Sequence, residues 1–411
     1  MYLLNDLQRK HRIKKLLRWA MQSEFYRQKY SGYEEALQKG ELQRLPYTTK
    51  EEIDFDKLAT VDKERFVMVG RSSGTVDKPT FLFFTPEDMK NTIEVWTVRC
   101  WQFVGLTNKD VFLNLTRYDN LHISGYITQA GSIKLGMTVI PYGAGGDPDQ
   151  ILSLIKRFGV TSFVFRPSHV MRLGMFYRSQ GVEPSELGIQ KIIVTGEWMS
   201  KEFRRMLEEL WGADVYVLYT MTEAMGDVGS ECKEKDGTHI FDDYFLIELR
   251  ELSLPEKSVT HTLENAGEII LTTMRENMPF IRYRTGDLGM EISKKCACGS
   301  KHQRIHLLGR VNEVLRVGSL AVTPLDIQTL LLRIPGMSGL YTLTVDGKEA
   351  SKLHLEIETL EAEHTEHKKQ EIRDLLLENL EVESSLIGDI DIKLVPLSFS
   401  LNYNKQKYFA I

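Results

Sequence analysis

Residues Met278 to Arg310 read MPFIRYRTGDLGMEISKKCACGSKHQRIHLLGR, and three kinds of chemistry follow one another in that run. Tyr283-Arg284-Thr285-Gly286-Asp287 reads as a tight loop ending in a carboxylate, a group suited to accept hydrogen bonds from two vicinal hydroxyls such as those of a ribose. Cys296-Ala297-Cys298-Gly299 is a thiol pair at metal-ligand spacing. Gly309-Arg310 leads into Val311-Asn312-Glu313, where the composition changes and a second domain begins. A nucleotide loop, a metal knuckle and a hinge are expected in that order.

The rest of the chain sets the bounds. At 411 residues it is too long for one hydrophobic core, so at least two domains are expected. Apolar residues make up 42% and charged ones 27%, the mix of a globular protein. The net charge of −5 and pI of about 6.1 give no footprint for nucleic acid or for a polybasic membrane patch. No apolar run is long enough to span a bilayer, and Met1-Tyr2-Leu3-Leu4-Asn5-Asp6 lacks the basic start and apolar core of a signal peptide, so a cytoplasmic location is expected. Four cysteines in a chain of this length do not form a disulfide framework.

From the N-terminus, residues 6 to 30 carry apolar positions at helical spacing and read as one amphipathic helix. Residues 31 to 66 read as a second helical stretch, with Thr49 and Glu52 as a capping box. Phe66 to Gly70 is an apolar strand that enters Arg71-Ser72-Ser73-Gly74-Thr75-Val76-Asp77-Lys78-Pro79-Thr80, and a strand follows at Phe81 to Phe84. Backbone N–H groups and hydroxyls in such a loop can point at phosphate oxygens, with Lys78 adding charge; a plain hairpin turn is the other reading. Between Pro86 and Thr195, helices and strands alternate, the pattern of a helix-covered, mostly parallel sheet whose ligands bind beyond the carboxyl ends of the strands. The loops Thr116 to Ser124, Tyr142 to Asp147, Arg166 to His169 and Gly196-Glu197-Trp198 follow such strands. His122 and His169 lie on them and are as readily structural as catalytic. At Val215 to Ala224 a buried strand runs into a turn presenting Thr222 and Glu223; the carboxylate can hold Mg2+, or the pair can open a helix.

Taken together, Ser72-Ser73-Gly74-Thr75 with Lys78-Pro79-Thr80, Tyr219-Thr220-Met221-Thr222-Glu223, Tyr283 to Asp287 and Gly309 to Glu313 resemble the adenylate-forming superfamily of acyl- and aryl-CoA ligases, and within it the phenylacetate–CoA ligase branch. Phe25-Tyr26-Arg27, Glu231-Cys232 with Gly237-Thr238-His239-Ile240, Pro279 to Thr285 and Cys296 to Ile305 extend the resemblance nearly end to end. It implies an α/β fold with a large N-terminal ATP- and carboxylate-binding domain, 1–310, and a small α+β lid, 311–411, that rotates about Asn312. It implies activation of a carboxylate by ATP and Mg2+ to an acyl-adenylate, with transfer to coenzyme A. Ser72, Ser73, Gly74, Thr75 and Lys78 then cradle the β- and γ-phosphates, Thr222 meets the α-phosphate and Glu223 the magnesium. Gly196, Glu197 and Trp198 wall the adenine, Tyr219 lies in the nucleotide site, Asp287 binds the ribose and Arg310 supports the nucleotide. Lys405, in Leu401 to Tyr408, takes the place of the lysine that bridges carboxylate and α-phosphate; Lys407 stands next to it.

Val76-Asp77 replaces the usual Thr-Gly, Thr220 and Asn404 replace glycines, and Asn312 replaces the more usual aspartate or lysine of the hinge. These departures leave open a carrier protein's phosphopantetheine as acceptor, or a nucleotide-binding accessory protein without turnover. Tyr118, His122, Tyr142 and Phe165, with Trp198, are expected around the acid and lean toward an aryl substrate. Cys232, His239, Cys296 and Cys298 supply a Cys3His set for a closed structural zinc site, with His302 or His306 able to replace His239 and packed free thiols as the other reading. A homodimer would fit the resemblance.

Overall fold

The structure is a computed structural model; it describes residues 6–71, 81–260, 262–317, 320–346, 352–360, 366–379, 389–401 and 409–410. The phosphate-loop residues Ser72 to Thr75 and Lys78, and the tail lysines Lys405 and Lys407, lie outside the described residues. Two compact units emerge, and the chain enters each more than once: 1–143, 216–250 and 267–306 form one, and 144–215, 251–266 and 307–411 the other.

In the first unit, the expected helix over 6 to 30 is two, Asp6–Ala20 and Glu24–Lys29. Ser23 breaks it: its backbone is extended and its hydroxyl accepts from Tyr26 N at 3.0 Å, so the side chain caps a new helix instead of continuing the old one. The stretch 31–66 is also not one helix. Gly40 ends Glu34–Lys39 in the left-handed region, Pro46 follows, and beyond it the chain is helical only in the short turns Phe55–Leu58 and Lys63–Arg65, the latter a 3-10 turn. Glu52 does accept from Thr49 N, at 2.5 Å, but it closes a turn rather than a capping box.

The hairpin Met68–Arg71 with Phe81–Phe84 is antiparallel, and a long helical stretch from Pro86 to Phe103 contains a seven-residue π segment, Asn91–Thr97. Strands Val111–Asn114 and Thr138–Pro141 pair in parallel across the helix Ser124–Leu135. Seven further strands lie side by side in the order Phe245–Glu251, Ala266–Thr273, Tyr283–Glu291, Arg304–Arg310, Thr238–Ile240, Gly226–Ser230, Asp214–Met221, and the last four are joined antiparallel. Parallel pairing is found where helices separate the strands, and local antiparallel pairing where Asp214–Met221, Gly226–Ser230 and Thr238–Ile240 follow one another through short connections.

The Tyr283 to Asp287 motif is not a loop but the start of a strand. Its burial alternates, so Tyr283, Thr285 and Asp287 turn inward on one face while Arg284 turns outward to Glu268, 3.0 Å away. The residues just before it stitch the N-terminal segment on. Ile281 N donates to the Tyr26 hydroxyl at 2.9 Å, and Arg282 grips Glu248 with two hydrogen bonds of 3.0 and 2.9 Å while donating to the carbonyls of Gln43 and Leu45.

In the second unit, Ser162–Phe165 and Lys191–Thr195 pair in parallel, flanked by the helices Pro148–Phe158, Pro167–Ser179 and Lys201–Trp211. The last of these is capped by Ser200, ends at Gly212 in the left-handed region, and buries Phe203, Leu207, Leu210 and Trp211 along one stripe. Each such side chain contributes roughly 1.5–3 kcal/mol by leaving water. His169, expected on a loop, lies in the first turn of Pro167–Ser179, because Pro167 at the first position starts the helix at once. The described residues beyond 314 form a hairpin, two helices and a four-stranded sheet, with Leu330, Tyr341, Ile357, Ile372 and Ile390 in their core. Among the described residues no helix is long and apolar enough to cross a membrane.

Candidate functional site

Strand Asp214–Met221 turns back into Gly226–Ser230 through Thr222, Glu223, Ala224 and Met225. This is a hairpin turn, so Thr222 does not cap a helix; Met225 N donates to Thr222 O at 2.7 Å, and Met225 takes φ +62. Two contacts tie the turn and its strand to Tyr283–Glu291. The Tyr219 hydroxyl donates to Asp287 Oδ2 at 2.7 Å, and the Tyr283 hydroxyl donates to Glu223 Oε1 at 3.3 Å. The motifs Tyr219 to Glu223 and Tyr283 to Asp287, some sixty residues apart in sequence, therefore form one buried acidic group. Burial, with Glu223 beside it, pushes the Tyr283 phenol well above its ordinary value, so it stays a donor.

Sequence reasoning missed two buried charges here. Arg275 donates from Nη2 to the Glu223 carbonyl at 2.9 Å and to Met278 O at 2.8 Å, and from Nε to Asn277 O at 3.1 Å. Burial lowers its guanidinium to about 10. Asp227, the second residue of the returning strand Gly226–Ser230, is pushed up to about 6 by burial, against a hydrogen bond of 2.8 Å from the Thr97 hydroxyl in the π segment. The only sequence signal for either was a charge within an apolar run.

Of the residues expected around the acid, Tyr118 is 40% exposed and packs its ring over Gly125, where a Cβ would come within 2.6 Å of it; Asn114 Nδ2 donates to its hydroxyl at 2.7 Å. Tyr118 also borders Gly143, next to Tyr142. His122 Nδ1 pairs with the Ser124 hydroxyl at 3.1 Å.

In the second unit, Glu197 accepts from Ser168 N and from its hydroxyl, each at 3.0 Å, at the start of the helix Pro167–Ser179. A carboxylate at that end is favoured by the unpaired amides and the helix dipole. Gly196 before it takes φ +86. Trp198 Nε1 donates to Glu313 Oε2 at 3.2 Å, beside Asn312 in the one-turn 3-10 helix Val311–Glu313 that follows Arg310. Phe165 is buried with its ring 4.7 Å from that of His169.

The knuckle is drawn together in the first unit. Ligand atoms of Cys232, His239, Cys296 and Cys298 all lie within 4.8 Å of one another. Cys232 Sγ and Cys296 Sγ are 3.6 Å apart, and Cys298 Sγ is 3.5 Å from His239 Nε2. A tetrahedral zinc with S and N ligands has edges of about 3.5–3.8 Å, so the set fits. Antiparallel pairing of His239 with Arg304 brings the histidine in, and Gly299 at φ +80 turns the chain after the thiols. Burial, reinforced by Arg304, lowers His239 to about 4, leaving a neutral imidazole. His302 is engaged by Asp242 at 2.5 Å and His306 lies 3.9 Å from Asp236; His239 is the histidine grouped with the three thiols.

Comparison with known proteins gives the class: residues 8–241 match the family model described as AMP-binding enzyme, and the fold agrees with it. The chain belongs to that family, in its phenylacetate–CoA ligase-like branch. It is 31% identical to a phenylacetate-coenzyme A ligase of Thermus thermophilus over 74% of this chain and 69% of that one. A phenylacetate-coenzyme A ligase of Pseudomonas putida is 26% identical over 89% of this chain and 85% of the other. Among solved structures, 2-hydroxyisobutyryl-CoA ligase in the postadenylation state superposes with a TM-score of 0.81, at 19% identity, covering 99% of this chain and 88% of that one. An anthranilate CoA ligase in complex with anthranoyl-AMP gives 0.61 at 16% identity over 82% and 64%.

Proposed function

We propose that the chain activates a small or aryl carboxylic acid with ATP, forming an acyl-adenylate and releasing pyrophosphate, then transfers the acyl group to coenzyme A. The observation that supports this reading is the pairing of Tyr219 with Asp287 and of Tyr283 with Glu223, which links a buried carboxylate on the strand Tyr283–Glu291 with another on the turn after Asp214–Met221. Attack at the α-phosphorus asks for positioning and charge neutralisation more than for a covalent catalyst. Glu223 supplies the carboxylate for Mg2+, which binds through one or two such groups and substrate phosphates. Thr222 holds the α-phosphate, Asp287 the ribose and Lys405 the carboxylate–phosphate junction. Ser72, Ser73, Gly74, Thr75 and Lys78 hold the outer phosphates, Gly196, Glu197 and Trp198 the adenine, and Arg310 supports the nucleotide. Tyr118, His122, Tyr142 and Phe165 surround the acid.

Cys232, His239, Cys296 and Cys298 would hold a zinc with all four ligand positions filled by protein, so its part would be structural. Residues 311–411 act as a lid turning at Asn312. The enzyme works in the cytoplasm, where ATP and coenzyme A are available, and a homodimer is compatible with this reading.

Pyrophosphate release on a panel of aryl and short acyl acids, with ATP and Mg2+, with and without coenzyme A, tests the reading. Acid-dependent release that collapses in Lys405→Ala supports it. Release that a carrier protein stimulates and coenzyme A does not moves the acceptor to phosphopantetheine, and no release with any acid, despite ATP binding, turns the reading toward an accessory protein.

A further inference from the structure

The chain just before the tail lysine is described as far as Leu401, and it is held. Arg172, on the helix Pro167–Ser179, donates from Nη1 to Glu358 Oε2 at 2.5 Å and from Nη2 to Glu358 Oε1 at 2.6 Å. The same Nη1 donates to the carbonyl of Ser398 at 2.7 Å, and Ser398 N donates to Glu358 Oε2 at 3.1 Å. Both side chains of the pair are nearly out of water, at 10% and 14% exposure. One turn further along the helix, the ring of Phe176 meets that of Phe399 edge-on at 5.7 Å. Leu401 is buried, and its carbonyl lies 3.8 Å from where a side chain on Gly145 would begin. A single guanidinium therefore clasps the end of the strand Lys352–Thr359 and the turn at Ser398, and the chain leaves that clasp beside the Gly145 loop, four residues short of Lys405.

We propose that Arg172 is a positioning residue for acid activation, seating the segment from which Lys405 is presented. Its helix is itself held at the N-terminal end by Glu197, so the stretch assigned to the adenine and the clasp on Ser398 share one element. The guanidinium geometry suits this role, since a planar fork meets the carboxylate with two bonds and keeps a donor for the carbonyl, which an ammonium does not match. Because the pair is buried, losing one partner leaves the other uncompensated, and the segment is released rather than re-seated. A lid that rotates must open this clasp, so the clasp biases the equilibrium toward the activating arrangement.

The catalytic consequence rests on the adenylation reading, whereas the seat does not, and the test separates them. Deuterium uptake at residues 396–401 is compared in wild type, Arg172→Gln, Arg172→Lys and Glu358→Gln, alongside acid-dependent ATP–pyrophosphate exchange and thioester formation from a supplied acyl-adenylate. The expected result is faster uptake in Arg172→Gln and Glu358→Gln, exchange lowered roughly 10- to 100-fold, thioester formation within about 3-fold of wild type, and partial rescue by Arg172→Lys. Unchanged uptake in both neutral variants overturns the seat, whatever the activities. Faster uptake with both half-reactions falling together overturns the positioning role in favour of plain stabilisation. If wild type shows no exchange with any acid, the adenylation reading fails while uptake still decides the clasp. Should Arg172→Gln not fold, Glu358→Gln removes the same contact by a milder change.

Discussion

Asp287 sits where a strand face turns inward, and its carboxylate accepts a hydrogen bond from the Tyr219 hydroxyl, which orients it for the ribose role assigned to it. Replacing it with asparagine keeps the shape and removes the charge that strengthens bonds to two hydroxyls. Hydrogen bonds to charged groups contribute about 1.5–3 kcal/mol, so Asp287→Asn is expected to weaken ATP binding roughly 10- to 100-fold by calorimetry; an unchanged affinity would remove Asp287 from the nucleotide site. Asp227 gives a prediction of opposite kind. Burial raises it to about 6, so the folded state holds its proton more tightly than the unfolded chain does. Between the ordinary carboxylate value and about 6, the native state binds more protons, and stability falls as pH rises through that window and then levels off. Asp227→Asn, which still accepts from Thr97, is therefore expected to stabilise the protein at pH 8 by about 3 kcal/mol, with the gain vanishing near pH 4. Denaturant unfolding of both proteins at the two pH values checks it, and a pH-independent difference would show that the carboxylate is not destabilised by burial.

At the scale of elements, what the sequence made legible was what local periodicity encodes. Alternating strands and helices from Val111 to Phe165 could be read, as in the helix Pro148–Phe158, which buries Ile151 and Ile155 on one side, opens at the Asp147 cap and ends at Gly159, whereas the helices Pro167–Ser179 and Lys201–Trp211 were not legible. The break at Ser23 could not, since the same apolar spacing continues across it and only a hydroxyl turned back on the Tyr26 amide decides the matter. Tyr283 to Asp287 resembles a loop in sequence for a related reason: Thr and Gly in succession signal a turn, whereas pairing on both edges of the strand overrides that preference. The thiol cluster was legible as a composition, but which histidine joins it depended on the register of Thr238–Ile240 against Arg304–Arg310. That register predicts metal content directly. Protein purified without chelator is expected to carry about one zinc per chain by elemental analysis. Cys296→Ser, Cys298→Ser and His239→Ala should each abolish it and lower the melting temperature, while His302→Ala should retain the metal. Zinc lost from His302→Ala and kept by His239→Ala would reverse the assignment.

For the whole molecule, the composition change after Arg310 was visible, but the packing partners of the C-terminal residues were not. Residues 307–411 share a compact unit with 144–215 and 251–266: Gly339 lies against Phe203, Gln328 accepts from Ser200 N at 2.8 Å, and Thr329 donates to Glu202 at 2.9 Å. Such contacts join segments more than a hundred residues apart and leave no periodic trace in either. A lid rotating at Asn312, as proposed above, must break these contacts together with the Arg172 clasp. The turning point proposed at Asn312 can be tested without disturbing those contacts. Asn312 is exposed in the single turn Val311–Glu313, where amides of the first turn have no intrahelical acceptor, so proline fits the static fold while fixing φ. Asn312→Pro is expected to leave acid-dependent pyrophosphate release within about 3-fold of wild type in a single turnover and to slow thioester formation at least about 100-fold, because only the second step needs the torsion to change. Equal rates for both steps in the variant would mean that the lid does not turn at this residue. A matching fall in both would mean that residue 312 bears on the activating arrangement itself, and the pivot would then have to be sought among its neighbours.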